Sequence, residues 1–455
     1  MTTITDTIAA RVTASGPAGV SVIRISGPDA LRIGDRLVAA VSNNIKRPSQ
    51  ERAGTFFYAG IQNPKTNTRI DDGLFLIFRA PHSFTGEDVL EVQGHGGRIP
   101  SEQILQAAID GGARLADPGE FSKRAFLNGR LDLTQAEAIM DFIQSKSERM
   151  AHIARAQLDG SLGAQLMQVY TQITGVSVEV EYLLDFDERE LQHDFLDHMQ
   201  ARLYKIKEEI TRLIASWNKN GHVLREGASV VISGKPNVGK SSLLNALLGH
   251  ARAIVNDRPG TTRDSIEEGC TIHGIPIRLI DTAGIRWTDD SIEQEGIARS
   301  HHLISQADIN LRLIEITDHE ERRALEKKPL KPNDIIVLTK GDLKSESTVN
   351  NEIVTSVKTG VGLAELKEKI RDVLGYTQLE SVDATTIVSA RHAAELVQAE
   401  QELSTALSLY EQKNADCVLL AHHLRTAAEA IGRITGRIYS EDLIDAVFSR
   451  FCVGK

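Results

Sequence analysis

One short stretch, residues 230–245, limits what this chain can fold into more than any other part of the sequence. The apolar triplet at 230–232 has the pattern of a buried strand, and Gly-Lys-Pro-Asn-Val-Gly-Lys-Ser follows at 234–241, directly before an apolar helical start. Such a turn between a strand and a helix points backbone N–H groups and a helix N-terminus at an anion. We expect Lys240 to reach the outer phosphates of a nucleotide and Ser241 to bind magnesium. The stretch predicts a nucleotide-binding α/β domain; the alternative is an ordinary glycine-rich turn.

The bulk composition narrows the class of protein around this domain. Of 455 residues, 41% are hydrophobic and 25% are charged, which is typical of a globular protein with about two to four domains. The sequence shows no long apolar run and no secretory signal, so we expect a cytoplasmic protein without a membrane span. The cysteines, Cys270, Cys417 and Cys452, are far apart, which favours a reducing compartment. At a net charge of −10, a nucleic-acid partner needs a local basic patch or a second protein.

The hydrophobic pattern changes along the chain and predicts its domain order. Residues 1–119 contain short strand patterns separated by glycine-rich turns, which predict an α+β domain. Apolar residues at three- and four-residue spacing predict helices over 120–227 and again over 378–455. Between them, 228–377 has the strand and turn pattern of an α/β domain. We therefore predict an α/β nucleotide domain inserted in an all-α helical domain; two separate helical bundles are the alternative.

Three further motifs follow predicted strands and indicate which nucleotide binds. Asp281-Thr282-Ala283-Gly284 places a carboxylate near magnesium and an N–H near the γ-phosphate. In Thr339-Lys340-Gly341-Asp342, the aspartate can accept bonds from the two N–H groups of guanine, which adenine lacks. Ser356-Val357-Lys358 is expected to cover the base. Thr339 stands where most GTPases have asparagine, and its hydroxyl can make only part of the bracing contacts of that amide.

The segment 258–264 lies between the phosphate loop and Asp281 and has the position of a switch. We expect Thr262 to complete magnesium coordination there. Ile285 occupies the position at which Ras-like enzymes use glutamine to orient the attacking water, and isoleucine cannot do this. Glu293 is the candidate replacement, acting through a bridging water; a solvated surface glutamate is the alternative. The Asn237 carbonyl oxygen could hold a monovalent cation that replaces an arginine finger electrostatically.

Together these motifs resemble the Era/TrmE group of GTPases, and the two ends of the chain resemble the MnmE (TrmE) family of tRNA-modification GTPases. The segments that carry the second resemblance are 6–10, 24–28, 83–88, 95–97, 118–121, 124–133 and 451–455. They span the whole chain in the order of the family and end in Cys-x-Gly-Lys.

The resemblance implies an N-terminal domain that binds 5-formyl- or 5,10-methylene-tetrahydrofolate and holds a homodimer together. It assigns folate contacts to Arg24, Glu87, Arg130 and Lys455, and a functionally required cysteine to Cys452, although a lone thiol there could equally be packing. Arg130 stands at a position where relatives carry lysine, which keeps the charge but changes the geometry.

The resemblance also implies that the GTPase domains of a dimer meet when potassium and GTP bind. Potassium is then expected at Asn237, Asn256, Arg258 and Thr261, while Lys240 and Glu293 act in hydrolysis. The flavoprotein MnmG is the expected partner, in a heterotetramer or larger complex, for adding an aminomethyl-type group such as carboxymethylaminomethyl to C5 of the wobble uridine in certain tRNAs. The expected GTP contacts are Asn237, Val238, Gly239, Lys240, Ser241, Ser242, Thr261, Thr262, Asp281, Thr282, Ala283, Gly284, Thr339, Lys340, Asp342, Ser356, Val357 and Lys358.

Two other classes of protein stay open at the sequence level. An Era-like ribosome-assembly GTPase shares the central motifs, but it would end in an RNA-binding module rather than in these helices. A scaffold that binds folate and GTP without taking part in chemistry is the other alternative, and the terminal segment 452–455 argues against it.

Overall fold

The computed structural model describes residues 5–39, 46–183, 193–217, 223, 227–249, 267–281, 303–326, 330–343, 352–374, 388–411 and 416–454. The chain divides into two compact units. The first comprises Met1–Met140, Leu158–Glu190 and Asn414–Lys455, and the second comprises Asp141–Gln157 and Leu191–Lys413. Each unit is therefore assembled from segments that are distant in the sequence.

The helices and strands are named in chain order. The strands are β1 (Ile8–Arg11), β2 (Val20–Ser26), β3 (Phe56–Gln62), β4 (Arg69–Phe78), β5 (Val89–His95), β6 (Arg114–Leu115), β7 (Ala228–Gly234), β8 (Glu267–Ile272), β9 (Ile275–Asp281), β10 (Ile309–Glu315), β11 (Asp334–Thr339) and β12 (Glu352–Val354). The helices are α1 (Ala30–Leu37), α2 (Arg98–Asp110), α3 (Glu120–Leu127), α4 (Leu133–Gln144), α5 (Glu148–Leu158), α6 (Ser161–Leu183), α7 (His193–Ser216), α8 (Lys240–Gly249), α9 (His319–Glu326), α10 (Leu363–Val373), α11 (Ala390–Tyr410), α12 (Cys417–Thr435) and α13 (Glu441–Phe448), and a 3₁₀ turn spans Pro48–Gln50.

The first unit contains a six-stranded sheet in the order β3-β4-β5-β2-β1-β6. All neighbours are antiparallel except β1 and β6, which are parallel. Burial alternates along β2, where Ser21, Ile23 and Ile25 are buried, as expected for a strand with one face in a core. Helices α1 and α2 cover that face, and Ile23, Leu90 and Ile104 are fully buried between sheet and helices.

The remaining helices of the first unit form their own packing. Helix α6 packs along α12. Asp416 caps the N-terminus of α12, since its side chain accepts bonds from two backbone N–H groups of the first turn. The helix ends at Gly436 in the left-handed conformation (φ 77°), as is common for a glycine C-cap. A separate apolar cluster joins Phe126 of α3 to Phe448 of α13 and to Phe451.

The second unit contains a six-stranded sheet in the order β12-β11-β10-β7-β9-β8. All neighbours are parallel except β8 and β9. Strands β7 and β10 are buried almost throughout, as expected for parallel strands covered on both faces, and α8 and α10 contribute to the core. Because parallel strands end at one edge, the turns after β7, β9, β10 and β11 lie together there.

The predicted combination of sheets and helices is confirmed. In the second unit, α7 packs against α11, although the whole parallel sheet separates these two helices in the sequence. That packing supports the predicted insertion, which stays a prediction together with the boundaries 1–119, 120–227, 228–377 and 378–455. No helix among the described residues is long and apolar enough to cross a membrane.

Candidate functional site

The turn between β7 and α8 adopts a conformation that only certain residues allow. Gly234 has φ 146°, and a Cβ atom there would lie 2.5 Å from the carbonyl oxygen of Leu313. Asn237 has φ 62°, a left-handed conformation that asparagine adopts more readily than most side chains. The turn therefore brings the N-terminus of α8 to the carboxyl edge of the sheet, where a phosphate group would be stabilised.

Lys240 lies inside this turn, with 8% of its surface exposed. Its Nζ donates to the carbonyl oxygens of Gly234 and Lys235 at 2.9 and 2.8 Å. Burial lowers the pKa of Lys240, and the nearby Asp281 carboxylate opposes that shift. The ammonium group is thus held at the position of the phosphate loop, and a nucleotide phosphate can replace the two carbonyl acceptors.

The structure describes two side chains of the predicted magnesium site, and these two are in contact. Ser241, the second residue of α8, donates from Oγ to Oδ2 of Asp281 at 3.2 Å. Asp281 ends β9 and is buried. A hydroxyl and a carboxylate at the carboxyl edge of the sheet supply the oxygen donors that magnesium requires, so this pair fits that ion.

Thr339 connects the end of β11 to the phosphate loop. Its Oγ1 donates to the carbonyl oxygen of Val238 at 2.7 Å and lies 3.2 Å from that of Ile314. A hydroxyl group carries one proton, so the shorter contact is the principal bond. This bond braces the phosphate loop against the strand that carries the base-binding motif.

The residues expected at the guanine base lie together after β11 and β12. Asp342 accepts a bond from the Ser356 hydroxyl at 2.8 Å, and this bond lowers the pKa of the carboxyl group. Lys340, in the left-handed conformation (φ 60°), pairs with Glu315 at 2.6 Å. The structure thus holds an ionised, oriented carboxylate where the sequence predicts guanine recognition, with Val357 and Lys358 directly after Ser356.

Several predicted site residues lie outside the described residues, and their roles stay predictions. They are Asn256, Arg258, Thr261, Thr262, Thr282, Ala283, Gly284, Glu293 and Lys455.

The residues expected at a folate surround the turn before β5 in the first unit. Arg24 pairs with Glu91 at 2.8 Å, and its guanidinium lies 5.0 and 5.5 Å from the ring centroids of Phe84 and Phe121. Glu87 accepts a bond of 2.6 Å from the Ser26 hydroxyl. Both charged groups are therefore held in fixed positions by neighbours.

A buried arginine connects Glu87 to two other segments. Arg124 is 2% exposed and pairs with Asp6, Glu87 and Glu120 at 2.8, 3.2 and 2.9 Å. Arg114 also pairs with Asp6 and Glu120, at 2.7 Å in each case. Burial favours the protonated forms of Asp6 and Glu120, but the two arginines outweigh it and lower the pKa of both carboxyl groups. We refer to Asp6, Glu87, Arg114, Glu120 and Arg124 as the Arg124 network.

Arg130 and Cys452 lie at other positions in the first unit. Arg130 packs against the same turn as Glu87, since a Cβ added to Gly86 would lie 3.2 Å from its Cγ. Cys452 is exposed, and its carbonyl oxygen accepts a bond from the Gly119 N–H at 3.4 Å. By contrast, Cys270 is buried in the second unit, and burial raises the pKa of its thiol to about 11.

Sequence reasoning missed the partners that fix these groups. Arg124 lies in a segment already singled out for its resemblance, but nothing in the sequence showed that its side chain is buried. Glu91, the partner of Arg24, is recognisable only from the strand register, which places it opposite Arg24. Ser26 lies in the segment 24–28 that carries part of the resemblance, but nothing in the sequence showed that its hydroxyl donates to Glu87.

Two family models match this chain. The first, described as the GTP-binding protein TrmE N-terminus, matches residues 7–130, and the second, described as the MnmE helical domain, matches residues 133–452. The second range encloses the parallel sheet.

The chain is also similar to curated proteins over its full length. It is 41% identical over 463 residues to the tRNA modification GTPase MnmE of Desulforamulus reducens, covering 99% of both chains. It is 41% identical over 468 residues to the tRNA modification GTPase MnmE of Moorella thermoacetica, again covering 99% of both. Among solved structures, the G domain of the FeoB iron transporter of T. maritima is 32% identical over 32% of this chain and 98% of that chain, with a TM-score of 0.26, which is too low to support an argument.

Proposed function

This chain belongs to the MnmE family of tRNA modification GTPases, and from that premise we propose that it modifies the wobble uridine of certain tRNAs. With the flavoprotein MnmG, it adds an aminomethyl-type group, such as carboxymethylaminomethyl, to C5 of that base. The full-length similarity to tRNA modification GTPases carries this proposal. No described feature favours an Era-like role in ribosome assembly over it.

The nucleotide site supports GTP as the substrate. Lys240 would neutralise the outer phosphates, and Ser241 and Asp281 would hold magnesium, which would balance phosphate charge when bound. Asp342, which Ser356 holds at 2.8 Å, accepts the two guanine N–H groups, and an adenine base would leave this carboxylate unpaired. Beyond the described residues, Thr262 completes the magnesium site and Thr282 to Gly284 contact the γ-phosphate.

Hydrolysis depends on two groups that replace those of Ras-like enzymes. Glu293 orients the attacking water through a bridging water, because Ile285 cannot. Asn237, Asn256, Arg258 and Thr261 would hold a potassium ion, which would supply positive charge near the transferred phosphate when bound. The exposed, left-handed position of Asn237 supports this assignment, since its side-chain oxygen is accessible to an ion.

The Arg24 and Glu87 region supports a one-carbon carrier, 5-formyl- or 5,10-methylene-tetrahydrofolate. Glu87 is an acceptor for N–H donors of a pteridine ring, and Arg24, held over two aromatic rings, suits an anionic or planar group. Arg130 and Lys455 add positive charge for the carboxylates of the carrier, which supplies the one-carbon unit when bound.

The assembly follows from the family as well. We infer a homodimer that joins MnmG in a heterotetramer or larger complex in the cytoplasm, with tRNA as the shared substrate.

Mass spectrometry of tRNA nucleosides from cells with and without this protein tests the proposal. Loss of the C5-modified wobble uridines in its absence, restored by the wild-type chain, is the expected result. Unchanged nucleosides together with accumulated ribosomal-subunit precursors would overturn the tRNA role and leave the GTPase activity in place.

A further inference from the structure

The first unit contains a cavity that Arg130 lines and that none of Arg24, Glu87 or Cys452 lines. It is an open cavity of about 570 Å³ between the end of α3, the start of α6 and the segment after α12. Cavities of roughly 300–1,000 Å³ are typical of small-molecule or single-nucleotide sites. We call it the α3–α6 pocket.

Two glycines let the segments that line this pocket pack closely against each other. A Cβ at Gly436 would lie 2.6 Å from the ring of Phe126, and Gly436 has φ 77°. A Cβ at Gly163 would lie 2.2 Å from the carboxylate of Asp132, which is itself used to cap α4 through Gln135 and Thr134. The floor is therefore narrow and mainly apolar, formed by backbone and by the buried face of an aromatic ring.

Two arginines and a tyrosine form the rim. Arg130 and Arg437 are exposed, and within the part of the chain that the structure describes neither forms an ion pair with a carboxylate. Arg437 lies with its guanidinium 4.8 Å from the ring centroid of Tyr170, and Tyr439 packs edge-on against Phe126 with ring centroids 5.4 Å apart. Arg130 and Arg437 differ in this respect from Arg124, which pairs with three carboxylates.

An apolar floor with an aromatic ring and two guanidinium groups without carboxylate partners suits a ligand that is planar and anionic. We propose that the α3–α6 pocket takes one unstacked nucleotide of the tRNA, with its base beside Tyr439 and Phe126 and its phosphate at Arg437. Sequence-specific RNA recognition uses single-stranded loop bases stacked on aromatic or arginine side chains, and arginine binds phosphate in a fixed fork. In a chain of net charge −10, binding of RNA depends on such local positive charge.

This inference rests on the proposed function, because tRNA is the substrate it assumes. The test uses the full-length chain and a fluorescein-labelled anticodon stem-loop RNA, with Kd measured by fluorescence anisotropy at several salt concentrations. Arg437→Gln is the test variant. Arg425→Gln is the matched control, because Arg425 is an exposed arginine of α12 that is already paired with Glu181 at 2.8 Å.

Loss of a charged bond to phosphate by Arg437→Gln is expected to weaken RNA binding about tenfold. The slope of log Kd against log salt should fall by about 0.7 to 0.9, since one fewer counterion is released. Tyr439→Leu, which keeps apolar bulk but removes the ring, should weaken binding about fivefold or more without changing the slope. Arg425→Gln should match the wild type, and thermal unfolding of each variant shows whether it is folded.

The outcomes separate the pocket from the proposed function. If the wild type binds the stem-loop and both pocket variants bind it equally well, the pocket assignment fails and the tRNA role stands. If the wild type does not bind the stem-loop, the pocket assignment fails, and the nucleoside measurement decides separately whether the tRNA role stands. Binding of 5-formyl-tetrahydrofolate is measured in parallel, and a variant that loses the folate but keeps RNA binding overturns the RNA assignment in favour of the carrier.

Discussion

At the scale of single residues, Thr339 shows how one hydroxyl group replaces part of an asparagine. The sequence predicts incomplete bracing at this position, and the structure supplies one strong bond, 2.7 Å to the carbonyl oxygen of Val238 in the phosphate loop. Thr339 is 6% exposed, so water cannot easily replace a lost donor there. The position of the phosphate loop therefore depends on this hydroxyl.

Thr339→Val tests this dependence because it keeps the shape of the side chain and removes the donor. We expect a loss of about 1–3 kcal/mol in the free energy of unfolding and weaker GTP binding. Thr339→Ser, which keeps the hydroxyl group, is the control and should retain most of the affinity. Titration of a fluorescent GTP analogue measures the effect, and equal affinities for the valine and serine variants would contradict it.

Glu293 is the other residue whose role a single substitution decides. Glu293→Ala should leave the Kd for GTP near normal and slow hydrolysis by about two orders of magnitude or more, because only the attacking water loses its orientation. Glu320→Ala, an exposed glutamate at the start of α9, is the control. Phosphate release under single-turnover conditions measures the step, and an unchanged rate would return Glu293 to an ordinary surface role.

At the scale of secondary-structure elements, the Arg124 network joins the segment before β1, the turn before β5 and helix α3. Removing a buried arginine that pairs with several carboxylates is strongly destabilising, because the remaining buried charges lose their partner. The network also determines how this unit responds to acid. The pKa of Asp6 and of Glu120 is lowered, so their stabilising contribution is present above the unfolded pKa of about 4 and is lost as the pH falls through the folded value.

Arg124→Met should reduce the free energy of unfolding by about 3–5 kcal/mol at neutral pH. Below about pH 5, the variant should lose less stability than the wild type, since Asp6 and Glu120 keep only Arg114 of their two arginine partners. Arg32→Met is the control, because Arg32 is 78% exposed and pairs only weakly with Asp29 at 3.4 Å. Thermal unfolding as a function of pH compares the three proteins, and identical midpoints for both variants at pH 7 would contradict the role of the network.

At the scale of the whole molecule, activity is proposed to depend on two copies of the chain and on a cation. The motivating observations are Asn237, exposed in a left-handed turn, and Ile285 in place of a water-orienting glutamine. GTP turnover should be about tenfold or more faster in potassium than in sodium at matched ionic strength, since only an ion of the right size fills the site.

Asn237→Gly is the matched variant for this prediction, because glycine adopts the positive φ without strain and lacks the side-chain amide that carries the oxygen. It should lower the rate in potassium to the rate in sodium. Turnover as a function of protein concentration reports whether the effect requires a dimer. Equal rates of the wild type in the two salts would exclude a potassium ion in the role of an arginine finger.

The sequence by itself determined the nucleotide, because the residues of the phosphate loop, Asp281, Asp342 and Ser356 each follow a strand at a local spacing that dictates their position. The same locality predicted the strand and helix content, whereas the folate contacts come from the resemblance alone and stay a prediction. Only the tertiary structure decided which neighbouring side chains hold the charged residues of the first unit in position. Asp6 and Arg124 are 118 residues apart in the sequence, and Arg24 meets Glu91 only through strand register, so no local pattern contains these pairs. The α3–α6 pocket likewise exists only where three distant segments meet around two glycines, a consequence of packing rather than of any motif.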